Sequence, residues 1–247
     1  MYYGCYLSTK IKAKDLKQRK ETGMIVIEPD DYTSAEVKAI KAKGYIVLAY
    51  LSVGTLEKER EWYPRFKRYR LKQLEDWHNE WYIDIRRVEW LNFLVSRAKA
   101  LRKKGYDGLW CDNLDVYEYN KSKSMYTACI DTLIKLKNTG GYIMVNGGSE
   151  LFDTAMDKGS EISVIVNGIT QEEVYSRITS YSGKGKFGEQ TSDMHKWYKE
   201  YMKRLRKKGV QTFLLEYTRD DALKERIKNF CKKYKMTGYY IASDVNL

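Results

Sequence analysis

Proline and histidine are nearly missing from these 247 residues, at two each. Two prolines leave no proline-rich linker or stalk. The only histidines are His78 and His195, and Cys5, Cys111, Cys129 and Cys231 stand far apart with no CxxC, so a structural zinc site is excluded. No metal or cofactor is predicted. The phosphate-cradling patterns GxGxxG and GxxxxGKS/T are absent, and the SGKGK run at 182–186 is only a flexible loop able to touch an anion. No apolar run nears the roughly 18 residues of a membrane span. Nothing ahead of the first strand-like run, YYGCYLS, has a basic region followed by an apolar one. The chain therefore reads as cytoplasmic as it stands, and as secreted if it was trimmed from a longer one. Cys5 and Cys111 lie inside apolar runs, and all four thiols are expected to be reduced and structural.

Tyrosine, at 22, and positive charge are plentiful; 45 Lys and Arg against 33 Asp and Glu give a net +12. A hydrophobic fraction of 43% excludes a disordered chain. The charge suits a nucleic-acid partner, an anionic membrane surface, or simply a basic exterior.

A repeat in the punctuation decides the fold. A basic helix-like tail, a glycine and an apolar strand recur in RKETGMIVIEP, KAKGYIVLAY, LRKKGYDGLWC, LKNTGGYIMVN, MDKGSEISVIV, LRKKGVQTFLL and KYKMTGYYIAS. Lys and Arg in a last helical turn complement the helix dipole, and Gly supplies the left-handed residue that ends the helix. Each following run is short, apolar and rich in β-branched or aromatic residues, as a strand buried on both faces requires. With Tyr2–Leu7 these make eight strands. Helices are predicted over Ser34–Lys43 (Ser34 as N-cap), Val88–Lys104, Ser124–Asn138, Ser192–Lys208 and Asp220–Lys235, with a short one over Ser149–Lys158. Eight strands alternating with helices over this length predict an α/β fold, a (β/α)8 TIM barrel in one domain over 1–247, with an open doubly wound sheet as the alternative. Thr55–Asp84 is a long insertion after the third strand, carrying Trp62, Tyr63, Phe66, Tyr69, Trp77, Trp81 and Tyr82.

In such barrels active sites lie at the C-terminal ends of the strands. The residues after each apolar run are mostly acids and aromatics: Glu28, Asp30 and Asp31; Tyr50, Ser52 and Glu57; Asp112, Asn113, Asp115 and Tyr117; Asn146 and Glu150; Asn167, Glu172 and Glu173; Glu216 and Tyr217; Asp244. Two carboxylates flanking a bond are the minimum equipment for glycoside hydrolysis. Asp112, straight after GLWC, and Glu172, a few residues beyond ISVIVNG, are the best pair. A capping or salt-bridged role competes for Asp112. For Glu172 the first turn of a helix competes equally.

The stretch WYIDIRRVEWLNFLVSRAKALRKKGYDGLWCDNLDVY, with AYLSVGTLEKEREWY, VNGITQEEVY, LLEYT and GYYIASDVNL, resembles glycoside hydrolase family 114, the endo-α-1,4-polygalactosaminidase family, across nearly the whole chain. The resemblance implies attack on an α-linked amino-sugar polymer by the strand-4 aspartate and a glutamate after strand 6, here Asp112 and Glu172. It implies Asp112 as nucleophile and Glu172 as acid/base in a retaining mechanism. Asp30, Tyr50, Ser52, Glu57, Asn113, Asp115, Tyr117, Asn146, Glu173, Tyr217 and Asp244 are the expected substrate contacts. The expected partner is an oligo- or polysaccharide, with no nucleic acid and no membrane, and the chain is expected to be a monomer. The alternative is a catalytically inactive carbohydrate-binding barrel. The +12 then falls on helix C-termini such as Arg102–Lys104, Arg206–Lys208 and Lys232–Lys233, away from the acidic strand ends. Lys58, Arg60, Arg65, Lys67, Arg68 and Arg70 of the insertion are the cations expected nearest the site.

Overall fold

The computed structural model describes all 247 residues. Eight parallel strands run in chain order around a barrel: β1 (Tyr2–Tyr6), β2 (Gly23–Ile27), β3 (Tyr45–Ser52), β4 (Gly108–Asp112), β5 (Tyr142–Asn146), β6 (Gly168–Glu172), β7 (Gln211–Tyr217) and β8 (Gly238–Ala242). Each is hydrogen-bonded to the next in sequence, as in Tyr3↔Met24, Val26↔Leu48, Tyr50↔Trp110, Trp110↔Met144 and Leu214↔Tyr239. β8 closes against β1 at Gly238, where a Cβ would lie 2.9 Å from the Cβ of Tyr3, so glycine permits the approach.

Helices α1 (Ser34–Lys41), α2 (Val88–Lys104), α3 (Lys123–Lys137), α4 (Ser149–Asp157), α5 (Ser192–Lys207) and α6 (Asp221–Lys233) follow β2 to β7 in turn. Between β1 and β2 there is only a helical turn at Ala13–Asp15. Local chemistry sets the ends. Thr33, not Ser34, caps α1: its hydroxyl accepts the Glu36 N–H at 3.3 Å while the Glu36 carboxylate accepts the Thr33 N–H at 2.7 Å. α2 ends on Gly105, left-handed at φ +112°, after three basic residues.

One strand differs from the reading of the sequence. The apolar ISVI is a helical turn, Ile162–Ile165, with Ile162 and Ile165 buried and Val164 exposed. The Asn167 N–H donates to the Ile143 carbonyl at 2.8 Å, and the Asn167 side chain accepts the Ile143 N–H at 2.9 Å. Asn167 thus fastens the foot of β5, and β6 starts at Gly168. Glu172 is consequently the last residue of a strand, and Asn167 lies at the opposite end from the site.

Side chains alternate across a strand, and the barrel separates two apolar layers. Eleven residues, among them Tyr3, Met24, Leu48, Trp110, Met144 and Phe213, fill the interior, and 48 form the layer around it. The interior polar atoms are paired: Trp110 Nε1 donates to the Tyr3 hydroxyl at 3.0 Å, and Tyr3 bonds Thr170 Oγ1 at 3.0 Å. Two additions rise from the C-terminal rim. The insertion after β3 forms a three-stranded antiparallel sheet of Thr55–Glu57, Glu80–Ile83 and Arg70–Gln73, and a hairpin of Ser176–Ser180 and Lys186–Glu189 follows β6. No helix is long and apolar enough to cross a membrane.

Candidate active site

The period of two that fills the barrel also builds the site. One step above interior residues Leu48, Trp110, Met144, Thr170 and Leu215, on the same strand faces, stand Tyr50, Asp112, Asn146, Glu172 and Tyr217. All five line one cleft of about 640 Å³ at the C-terminal ends of the strands, walled by the insertion and the hairpin.

Asn146 links the two carboxylates. Its Nδ2 donates to Asp112 Oδ1 at 3.0 Å and to Glu172 Oε1 at 2.5 Å. Asp112 Oδ1 also accepts the Asn113 N–H at 2.9 Å. Glu172 Oε2 accepts the Tyr217 hydroxyl at 2.6 Å. Burial, and then the charge of Glu172, holds Asp112 well up from the ordinary carboxylate range, and burial raises Glu172 against the pull of Tyr217 and Asn146. Two like charges this close do not both ionise readily.

A second layer supports the first. Asn113, left-handed at φ +65°, donates through Nδ2 to Ser52 Oγ at 3.0 Å, Thr55 Oγ1 at 2.8 Å and Glu80 Oε1 at 3.2 Å. Gly54 makes room for it: a Cβ there would meet the Asn113 carbonyl oxygen at 1.8 Å. Burial pushes Glu80 up to about 7, and burial raises Asp115, which accepts the Tyr82 hydroxyl at 2.6 Å. Glu173 is likewise pushed up by burial to about 7.

The cleft is acidic although the protein is not. Nine carboxylic acids line it against one arginine, Arg60. That arginine is already matched: both its terminal nitrogens reach Glu28 at 2.9 Å, Nε reaches Glu57 at 2.5 Å, and Asp30 lies at 3.3 Å. The other insertion cations do not line the cleft. The basic last turns of α2, α5 and α6 end at the foot of the barrel, opposite the mouth. No group of three or more His, Cys, Asp or Glu side chains is arranged to hold a metal ion.

Of the expected contacts, Tyr50, Glu57, Asn113, Asp115, Asn146, Glu173 and Tyr217 line the cleft with Asp112 and Glu172. Four do not line it. Tyr117 is buried in the outer layer, ring to ring with Tyr126, because the chain turns helical at Val116–Tyr119 and carries it inward. Ser52 lies behind the wall, its hydroxyl taken by Thr55 and Asn113. Asp30 is held outside by Arg60 and Arg97. Asp244 is half-buried and accepts the Asn246 N–H, while its neighbour Val245 faces the cleft. Glu216 points the other way along β7, fully buried, accepting N–H groups of Tyr175 and Ser176 and the Ser176 hydroxyl at 2.6–3.1 Å. Glu80, Glu59, Asp76, Trp77 and Tyr181 line the cleft without having been expected there. They lie on the insertion and the hairpin, where no strand end marks them, although Trp77 stood out among the insertion's aromatics.

The family model of glycoside-hydrolase family GH114 matches residues 6–245. An uncharacterized protein of Thermotoga maritima is 21% identical over 242 residues, covering 89% of this chain and 72% of that one. The chain superposes on the glycoside hydrolase domain of PelA from Pseudomonas aeruginosa with a TM-score of 0.82 at 20% identity, covering 100% and 96% of the two chains. For Aspergillus fumigatus Ega3 in complex with galactosamine the TM-score is 0.74 at 15% identity, with coverage of 100% and 92%. These likenesses are of fold.

Proposed function

Because the chain belongs to glycoside hydrolase family 114, we propose that it is an endo-acting glycosidase that cleaves α-linked amino-sugar polymers by a retaining mechanism with Asp112 and Glu172. The observation that carries the reading is the shared Asn146 amide. Its two bonds cap the distance between the bridged carboxylate oxygens at about 5.5 Å, a close approach that supports retention over the roughly 6.5–9.5 Å separation of carboxyl groups that leaves room for water in inverting enzymes.

The partners assign the roles. Asp112 is held by two N–H groups, which can only donate and so favour its anion. Glu172 has a hydroxyl partner, Tyr217, which donates to the carboxylate and accepts from the acid, so Glu172 can gain or lose a proton without losing that bond. Asp112 attacks the anomeric carbon as Glu172 protonates the departing glycosidic oxygen. Glu172 then takes a proton from water, the water attacks the same carbon, and Asp112 leaves as the free carboxylate. The acid-rich cleft supplies the specificity: ammonium groups of a deacetylated amino sugar are drawn to it, and the one lining arginine has no free charge to repel them. The similar Ega3 structure is a complex with galactosamine, an amino sugar of that chemistry.

The test is a digestion panel of α- and β-linked polysaccharides, with and without free amino groups, followed by reducing-end release. Release from α-1,4-galactosamine polymers, with loss of at least about a hundredfold in Asp112→Asn and Glu172→Gln, supports the reading. Binding without release across the panel would make the chain a carbohydrate-binding barrel instead.

A further inference from the structure

Of the six tryptophans only Trp77 is exposed, with 47% of its surface open. It stands at the tip of the insertion, between the strands Arg70–Gln73 and Glu80–Ile83. Its ring meets that of Tyr181, with centroids 5.5 Å apart and planes at 64°. Tyr181 stands at the turn of the hairpin after β6, three strands round the barrel from β3. Two tips from separate walls therefore meet at one mouth, and both rings line the cleft. Asp76 lines it beside Trp77, exposed and without an ion pair. An indole left in water at the rim of a cleft forgoes the gain that burial gives the protein's other tryptophans.

We propose that Trp77, with Asp76 beside it and Tyr181 facing it, is a subsite that stacks one amino-sugar ring of the substrate chain away from the bond being cleaved. The proposal rests on the glycosidase reading and extends it. A pyranose presents a patch of C–H groups that suits the electron-rich face of an indole, and its ammonium group is drawn both to that face and to the Asp76 carboxylate. Tyr181 supplies a neutral hydroxyl: burial first, then the charges of Glu173, Glu172 and Asp76, keep its proton on. The subsite is on the tips of the two walls, whereas Asp112 and Glu172 are on strand ends. A ring bound at Trp77 is thus not the reacting ring, and only a substrate long enough to span both positions gains from it.

Steady-state kinetics of the full chain with a galactosamine hexamer and the corresponding disaccharide test this. Trp77→Ala is expected to raise KM for the hexamer about tenfold, leave kcat within about twofold, and leave the disaccharide unchanged. Trp77→Phe is expected to recover most of the loss. Trp77 is exposed, so its removal opens no core cavity. An unchanged KM for the hexamer, or an equal rise for both substrates, would overturn the subsite. If the wild-type chain cleaves neither substrate, the glycosidase reading fails on its own, and calorimetric titration with the hexamer decides the subsite. Binding weakened about tenfold by Trp77→Ala keeps it; equal binding, or none to either protein, removes it.

Discussion

Replacing Tyr217 by phenylalanine separates the roles of the two carboxylates. The substitution removes one oxygen and keeps the ring that packs near Phe187. That oxygen donates to Glu172 Oε2 at 2.6 Å in a site where Glu172 has one other donor, Asn146. A hydrogen bond to a charged group is worth roughly 1.5–3 kcal/mol. Part of this returns when the hydroxyl accepts from protonated Glu172 instead, so the net loss to the anion is about 1.4 kcal/mol, or about one pH unit. With Glu172 as the acid, the alkaline limb of the kcat/KM profile reports its proton. That limb should move up by about one unit in Tyr217→Phe, and the acid limb, which reports Asp112, should stay within about 0.3. The assay is initial reducing-end release from a galactosamine polymer between pH 4 and 9. Movement of the acid limb instead would exchange the roles. A profile unchanged at both limbs would take the Tyr217–Glu172 bond out of the reaction.

The remaining predictions concern the frame. Burial pushes Glu216 and Glu80 to about 7, so the folded state holds their protons more tightly than the unfolded chain does. That stability is fully present below about pH 4.5 and is lost as the pH rises through about 7, with an upper limit of roughly 3 kcal/mol for fully buried Glu216. The urea midpoint should therefore fall between pH 5 and 8, with a shallower slope in Glu216→Gln; a midpoint rising over that range would contradict the assignment. Gly54→Ala should cost about 3 kcal/mol or more, because its Cβ would overlap the Asn113 carbonyl oxygen, and should impair activity through Asn113. A thermal midpoint within about 2 °C of wild type would refute that close approach.

The barrel was legible because its signals are local. Each basic tail, glycine and apolar run marks one helix end and the foot of one strand, and Gly44, Gly105 and Gly209 do take the left-handed conformation this reading requires. The failure at ISVIV has the same origin. β-Branched residues suit a strand, but Ile162 and Ile165, three apart, are buried together by a helical turn, and the polar Asn167 decides where β6 begins. Asp112, Asn146 and Tyr217 were readable as strand ends. Glu172 was read as lying a few residues past its strand, and the resemblance pointed to it as well, although that strand was misplaced. Glu80, Asp76 and Tyr181 reach the cleft on short antiparallel strands and turns, whose positions depend on how the insertion and hairpin fold back over the mouth. Nothing in their immediate sequence records that. The net charge of +12 says little about the cleft, as its placement on helix C-termini implies: it counts residues over the whole chain, whereas nine acids and one arginine line the mouth at one end of the barrel.

Asp112 and Glu172, bridged by Asn146, are proposed to cleave an α-linked amino-sugar chain with retention. Proton NMR of the first product released from an α-1,4-galactosamine oligomer tests it most directly, read before the anomers equilibrate. The α anomer is expected, and is expected to be absent in Asp112→Asn and Glu172→Gln. First release of the β anomer, or α product undiminished in either variant, would contradict it.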